Sequence, residues 1–182
     1  MSFIETAIQG SWVFEPRVWS DSRGQFYEAF KLTEIQQSLG INFDVKQANV
    51  SRSRAGVLRG VHWSVGEHAQ AKYVSCVNGR VLDFVVDVRV DSPTFGKWDC
   101  FELSPVNGRA MLISKGLGHA FLALEDDSIV SYLCSEEYDP ASERSINPIS
   151  VFSTEEIFEL NLTKVILSNK DSDSPGILSL LE

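Results

Sequence analysis

The stretch YVSCVNGRVLDFVVDVRV, residues 73–90, decides the fold. Two β-branched, apolar runs, Tyr73 to Val77 and Val81 to Val90, flank Asn78-Gly79. Asn-Gly between strand-prone runs is the strongest short-range hairpin signal, because both turn positions accept positive φ. A period of two in the second run puts Asp83 and Asp87 on one face with Val81, Val85 and Arg89. An acid on an otherwise apolar strand needs a partner. His119 is a candidate, and that pairing can be purely structural.

Further short apolar runs follow at Trp98 to Leu103, Ala110 to Ile113, His119 to Leu124 and Ile129 to Cys134. Turn residues separate them: Ser92-Pro93, Asn107-Gly108, Lys115-Gly116 and Asp126-Asp127. Many short strands at this spacing indicate an antiparallel sandwich or barrel. Helices are few and peripheral. Thr33 to Leu39 opens on Thr-x-x-Gln, a capping-box pattern, and stops at Gly40. Ser153-Thr-Glu-Glu156 suits a cap over Ile157, Phe158 and Leu160, and Pro175 to Leu181 suits another short turn. The expected class is all-β. With 182 residues, 43% hydrophobic content and no linker-like stretch, residues 1–182 read as one domain.

Net charge of −9 and a pI near 4.8 exclude a broad basic surface for nucleic acid, though a few arginines in a cleft can still hold a diphosphate. Met1 to Gly10 lacks a signal-peptide pattern, and no apolar run is long enough to span a bilayer. Cys76, Cys100 and Cys134, odd in number and set in strand-like runs, read as reduced core thiols of a cytoplasmic protein.

Chemistry must come from few residues. His62, His68 and His119 are the only histidines. His62 and His68 lack the His-x-His spacing that converges ligands along a strand, so no metal is expected. In Gly56-Val-Leu-Arg-Gly-Val-His62, Arg59 and His62 nominally face opposite ways. A bulge at Gly60 would bring them to one face. The pair is then either an anion contact beside a proton acceptor or a structural histidine next to a surface arginine. Lys72, entering the next strand, either points inward as a fixed charge for an oxyanion or is solvated at a strand end. Tyr132 supplies packing area or an acidic proton, and Tyr138 and Phe26 are core or aromatic platforms.

Taken in order, these segments resemble the dTDP-4-dehydrorhamnose 3,5-epimerase family of the cupin-like, double-stranded β-helix superfamily. The matching stretches are Asp21-Ser-Arg-Gly-Gln-Phe26, Gln47-Ala-Asn-Val-Ser51, Gly56-Val-Leu-Arg-Gly-Val-His62 and His68-Ala-Gln-Ala-Lys72. Ser92-Pro-Thr-Phe-Gly96, Gly116-Leu-Gly-His-Ala-Phe121, Tyr132 to Pro140 and Leu167-Ser-Asn-Lys-Asp171 continue the series. The resemblance implies a homodimer of jelly-roll barrels, each with a metal-free, cofactor-free site for a dTDP-linked 4-keto-6-deoxy sugar. It makes His62 the general base, Asp171 its orienting carboxylate, Lys72 with Arg59 the oxyanion contact, and Tyr132 the acid on the opposite face. Arg23 and Arg59 are the implied diphosphate contacts, one of them from the partner. Phe26, Glu28, Gln47, Asn49 and Tyr138 fall at cleft positions, with Glu143 and Lys170 beside them. His119 is placed in the site, held by Asp83.

The pattern departs from the family in three places. Val61 and Trp63 flank His62, and Gly-Leu-Gly-His-Ala-Phe stands for Gly-Phe-Ala-His-Gly-Phe. The tryptophan-containing segment after Glu143-Arg144 is replaced by Ser145-Ile-Asn-Pro-Ile-Ser150. The rival readings are a relative inverting carbon 3 or carbon 5 alone, a 4-keto to 3-keto sugar isomerase, a nucleotide-sugar binding protein without catalysis, and a metal-dependent oxygenase.

Overall fold

The computed structural model describes residues 2–152 and 165–182. In chain order its strands are β1 (Ser2–Glu5), β2 (Ser11–Glu15), β3 (Trp19–Asp21), β4 (Gly24–Phe26), β5 (Gln47–Ser53), β6 (Leu58–Ser64) and β7 (Lys72–Asn78). They continue with β8 (Val81–Val86), β9 (Trp98–Leu103), β10 (Ala110–Ile113), β11 (Gly118–Ala123), β12 (Ser128–Cys134) and β13 (Glu143–Ser145). Helix α1 (Leu32–Leu39) precedes β5, and a short helix α2 (Asn169–Asp173) lies near the C-terminus.

The strands form two antiparallel sheets, ordered β1-β2-β10-β7-β12-β5 and β13-β6-β11-β8-β9, plus the separate hairpin β3-β4. This is the jelly roll. Side-chain alternation sorts the core. Val13, Val74, Met111 and Val130 of the first sheet meet Val81, Val85 and Phe121 of the second in the interior. On the outer face of the second sheet, Leu58, Val61, Phe84 and Val86 pack with Ile146 and Phe152. On the outer face of the first, Phe14, Tyr73 and Leu112 are covered by Ile35 of α1 and by Phe43.

Three expectations need correction. Strands β7 and β8 do not pair: β7 lies between β10 and β12, and β8 between β11 and β9. Asn78-Gly79 does turn the chain, with Gly79 at φ +72° against Ser128, but it passes the chain from one sheet to the other. Turn chemistry sets local geometry, not which neighbour a strand finds. The second run ends at Val86 rather than Val90, because Asp87 is buried in a knot of its own. Its carboxylate accepts from Arg89 Nε and Nη2 at 2.8 Å each, from Ser92 Oγ at 2.5 Å and from Thr94 Oγ1 at 2.6 Å. These donors hold it well below the ordinary carboxylate range against the opposing effect of burial. Third, the Thr33 capping box is not used. Lys31 is the N-cap without a side-chain bond, and Gln36 Nε2 donates to Asn42 instead. Gly40 ends the helix as expected, in the left-handed region, its N–H on Gln36 O.

Trp98–Leu103, Ala110–Ile113 and the runs around His119 and Ile129 are strands as read. Pro175 to Leu181 contains a 3-10 turn at Ile177–Leu181. The turn expected after Ser153 lies outside the described residues. All three cysteines are free thiols, and burial pushes Cys76 up to about 11.

Candidate active site

The interior faces of the two sheets set the site. On β6, Leu58 and Val61 both pack on the outer face although three positions separate them, so the strand gains a residue between them. The ladder records the same shift: His119 sits opposite His62 and Phe121 opposite Arg59. Gly60 is the bulge, at φ +116°, where a Cβ would lie 2.5 Å from His119 O. Only glycine fits. The consequence is that Arg59 and His62 both turn inward.

Together with Lys72, His119, Tyr132 and Asp171 they line a cavity of about 300 Å³. Lys72 is on the same face of β7 as Val74 and Cys76, which directs it into the barrel rather than to solvent. Burial pushes its ammonium below the ordinary lysine value, with Cys134, Glu143 and Asp83 pulling the other way. Burial likewise raises the Tyr132 phenol, against the opposing pull of Arg59 and Asn49. A buried phenol keeps its proton. That is the state an acid requires.

Two histidine–carboxylate pairs stand side by side. His62 Nε2 lies 2.7 Å from Asp171 Oδ1. Burial alone would raise Asp171, but hydrogen bonds from His62, Ser168 and the Gly60 backbone outweigh it and hold the carboxyl below its usual range. His119 Nε2 lies 2.7 Å from Asp83 Oδ1, both side chains buried, as the strand pattern suggested. Burial pushes Asp83 up, opposed by His119 and Lys72.

At the cavity mouth, Glu143 accepts from Lys170 Nζ and from the Tyr138 phenol at 3.2 Å. Gln47 Oε1 accepts from Tyr138 N at 2.8 Å, and its amide donates to Asn49 Oδ1 at 2.8 Å. Gln47 and Asn49 face inward on β5, Asn49 opposite Tyr132. The remaining candidates are elsewhere. Arg23 and Phe26 stand on the β3-β4 hairpin, Phe26 exposed and Arg23 paired only with Asp21 among the described residues. Glu28 pairs with Lys31. A single chain does not bring these three to the cavity. Neither Phe26 nor Tyr138 is core; both are more than half exposed. His68, in the 3-10 turn Gly66–His68, is not among the lining residues.

Sequence reading missed three lining residues: Ser51, Phe121 and Ser168. The Ser51 hydroxyl is buried without a hydrogen-bond partner among the described residues. It continues the inward series Gln47, Asn49, Ser51, so the period of two was the signal available. Ser168 accepts from Asp171 N at 3.1 Å and starts α2.

Fold and site define the class: a cupin-like jelly roll with an ionisable interior cavity. The family model for dTDP-4-dehydrorhamnose 3,5-epimerase matches residues 5–178. A dTDP-4-dehydrorhamnose 3,5-epimerase of Mycolicibacterium smegmatis is 48% identical over 97% of this chain and 86% of its own length. A dTDP-4-dehydro-6-deoxyglucose 3-epimerase of Streptomyces bikiniensis is 46% identical over 79% of this chain and 73% of its own. The structure of a Legionella pneumophila dTDP-6-deoxy-D-glucose-3,5-epimerase in complex with dTDP-4-keto-L-rhamnose superposes with a TM-score of 0.86. It is 37% identical and covers 97% of this chain and 92% of that one. The chain belongs to the dTDP-4-dehydrorhamnose 3,5-epimerase family and is a carbohydrate epimerase, an isomerase.

Proposed function

We propose that the chain, as one barrel domain acting in a cytoplasmic homodimer, epimerises dTDP-4-keto-6-deoxyglucose at carbons 3 and 5 to give dTDP-4-keto-L-rhamnose. The observation that carries this reading is the placement of His62 and Tyr132. They approach one cavity from opposite sheets, β6 and β12. Inversion needs that arrangement, since the proton leaves one face of the sugar carbon and a proton returns to the other.

The 4-ketone acidifies the hydrogens on carbons 3 and 5. With Nε2 held by Asp171, Nδ1 is the His62 nitrogen left to accept a proton, and the carboxylate stabilises the imidazolium that forms. The C–H electrons move into the C–C bond, and the carbonyl oxygen becomes an enolate oxyanion facing Lys72 and Arg59. Tyr132 delivers its proton to the opposite face and recovers one from solvent. His119, fixed by Asp83 through Nε2, presents Nδ1 as an acceptor to a sugar hydroxyl. Gln47, Asn49, Tyr138, Glu143 and Lys170 hold the nucleotide side of the substrate. Arg23, Phe26 and Glu28 serve the site of a second copy.

Incubation with this substrate in deuterium oxide, followed by proton NMR, tests the reading. Deuterium entering at both carbons, and at neither in His62→Asn, is the expected result. No exchange despite nucleotide-sugar binding would sink it. The second reading, inversion at carbon 3 alone, is favoured by the similarity to the Streptomyces 3-epimerase. Exchange confined to carbon 3 would establish it.

A further inference from the structure

We infer that residues 145–150 position the His62–Asp171 pair, with Asn147 as the principal positioning residue. The inference rests on the reading of that pair as the base.

Asp171 sits in α2, a helix of only five residues. So short a helix has no appreciable stability of its own and must be held from outside. Glu143 pairs with Lys170, the Gly60 backbone bonds Asp171, and Ile166 is bonded to Gly56 and Leu58; the C-terminal side of the helix is held from residues 145–150. Asn147 Nδ2 donates to Ser172 O at 2.9 Å, and Asn147 N donates to Pro175 O at 2.8 Å. The Ser145 and Ser174 hydroxyls lie 2.8 Å apart, and Ile177 N donates to Ser150 Oγ at 3.0 Å.

The same segment is bonded to the strand that carries the base. Ser145 lies opposite His62 in the β13–β6 ladder. Ile146 and Val61 exchange both backbone hydrogen bonds, each at 3.2 Å. A closed ring results: His62, β6, residues 145–147, α2, Asp171 and back across 2.7 Å to His62. Both partners of the pair are tied to this one short stretch, so its geometry bears on their separation alongside the direct Gly60 bond to Asp171. Asn147 is its hinge pin. Its side-chain oxygen accepts from Ile149 N and caps the 3-10 turn Pro148–Ser150, while its amide nitrogen holds α2.

This division of labour gives a clean test. Asn147→Asp keeps an oxygen to cap the turn and removes the donor to Ser172, and Asn147→Ser keeps a capping oxygen on a side chain one atom too short to reach Ser172 O. Each is expected to lower kcat about tenfold, the worth of one hydrogen bond acting on a reacting geometry, with KM changed by less than about twofold. In an Asp171→Asn background neither substitution should lower kcat further, because their effect passes through Asp171. The downfield ring N–H proton of His62 should broaden in the Asn147 variants. Retention of full kcat would overturn the inference, as would an equal loss in the Asp171→Asn background. If instead Asp171→Asn itself leaves exchange intact, the base assignment fails, a result distinct from either. Where an Asn147 variant does not fold, Ser145→Ala decides by the same kcat, KM and background comparison.

Discussion

The cavity and the β3-β4 hairpin hold candidate residues in opposite ways. Lys72, His119 and Tyr132 are fixed by ladder register within the barrel, each strand flanked on both sides. Arg23 and Phe26 ride on a two-stranded hairpin joined to neither sheet, with their side chains largely in solvent. Two strands alone are marginally stable, and a tilted Trp19–Phe26 stack with Arg17 over Trp19 is what ties this hairpin together. The groups proposed for chemistry are therefore complete within one chain. Of the groups proposed for gripping the nucleotide, Arg23, Phe26 and Glu28 await a second copy, while Gln47, Asn49, Tyr138, Glu143 and Lys170 stand at the cavity mouth of the same chain.

Substitutions can break this contrast. His62→Asn carries the largest expected effect, a loss of about 10² to 10⁴ in exchange at both carbons with nucleotide-sugar binding retained. Calorimetric titration alongside NMR checks both halves. Lys72→Met is expected to lower kcat about 10²- to 10³-fold, the scale of a lost oxyanion contact. Because burial holds the Lys72 ammonium below its ordinary value, the alkaline limb of kcat should begin below the usual lysine range. Lys72→Arg should push that limb upward. Stability runs the other way across the same window: the unfolded chain binds more protons there, so the Lys72 contribution to stability rises with pH.

Smaller effects belong to the hairpin. Arg23→Ala should raise KM about tenfold or more while kcat stays near wild type, the signature of binding shared by ground and transition states. Asp87→Asn should change neither kcat nor KM, because its knot lies outside the cavity. It removes a buried, multiply bonded carboxylate and should cost about 3 kcal/mol of stability, seen as a lower Tm. The carboxylates of Asp87 and Asp171 are both depressed on folding. Their contribution is therefore present above the unfolded aspartate range and lost as pH falls through the folded values. In Asp87→Asn the acid-side fall in Tm should be shallower.

Much of the interior was legible because alternation is a local property. Lys72 with Val74 and Cys76, Tyr132 with Val130, and Asp83 with Val81 and Val85 all follow a period of two. Gly60 announced the break in that period on β6. What escaped was non-local. Asn78-Gly79 specifies a turn, but the neighbours of β7 and β8 come from strands far along the chain, β10, β11 and β12. Strands β1 and β2 carry too little alternation to stand out, though β2 is paired on both sides. Asp171 has no periodic signal at all. Its place beside His62 depends on α2 and residues 145–150, and only the family resemblance pointed to it.

On the proposed reading, the cavity is complete for chemistry within one chain, and Arg23 of the partner subunit completes the nucleotide grip. Subunit complementation tests it most directly. His62→Asn and Arg23→Ala proteins are mixed, allowed to exchange subunits, and assayed at substrate well below the variant KM. A mixed dimer would contain one site with both His62 and the partner's Arg23 intact, so activity above the sum of the separate proteins is expected. Activity that stays at the average of the two, with mixed dimers demonstrated in solution, would contradict the account.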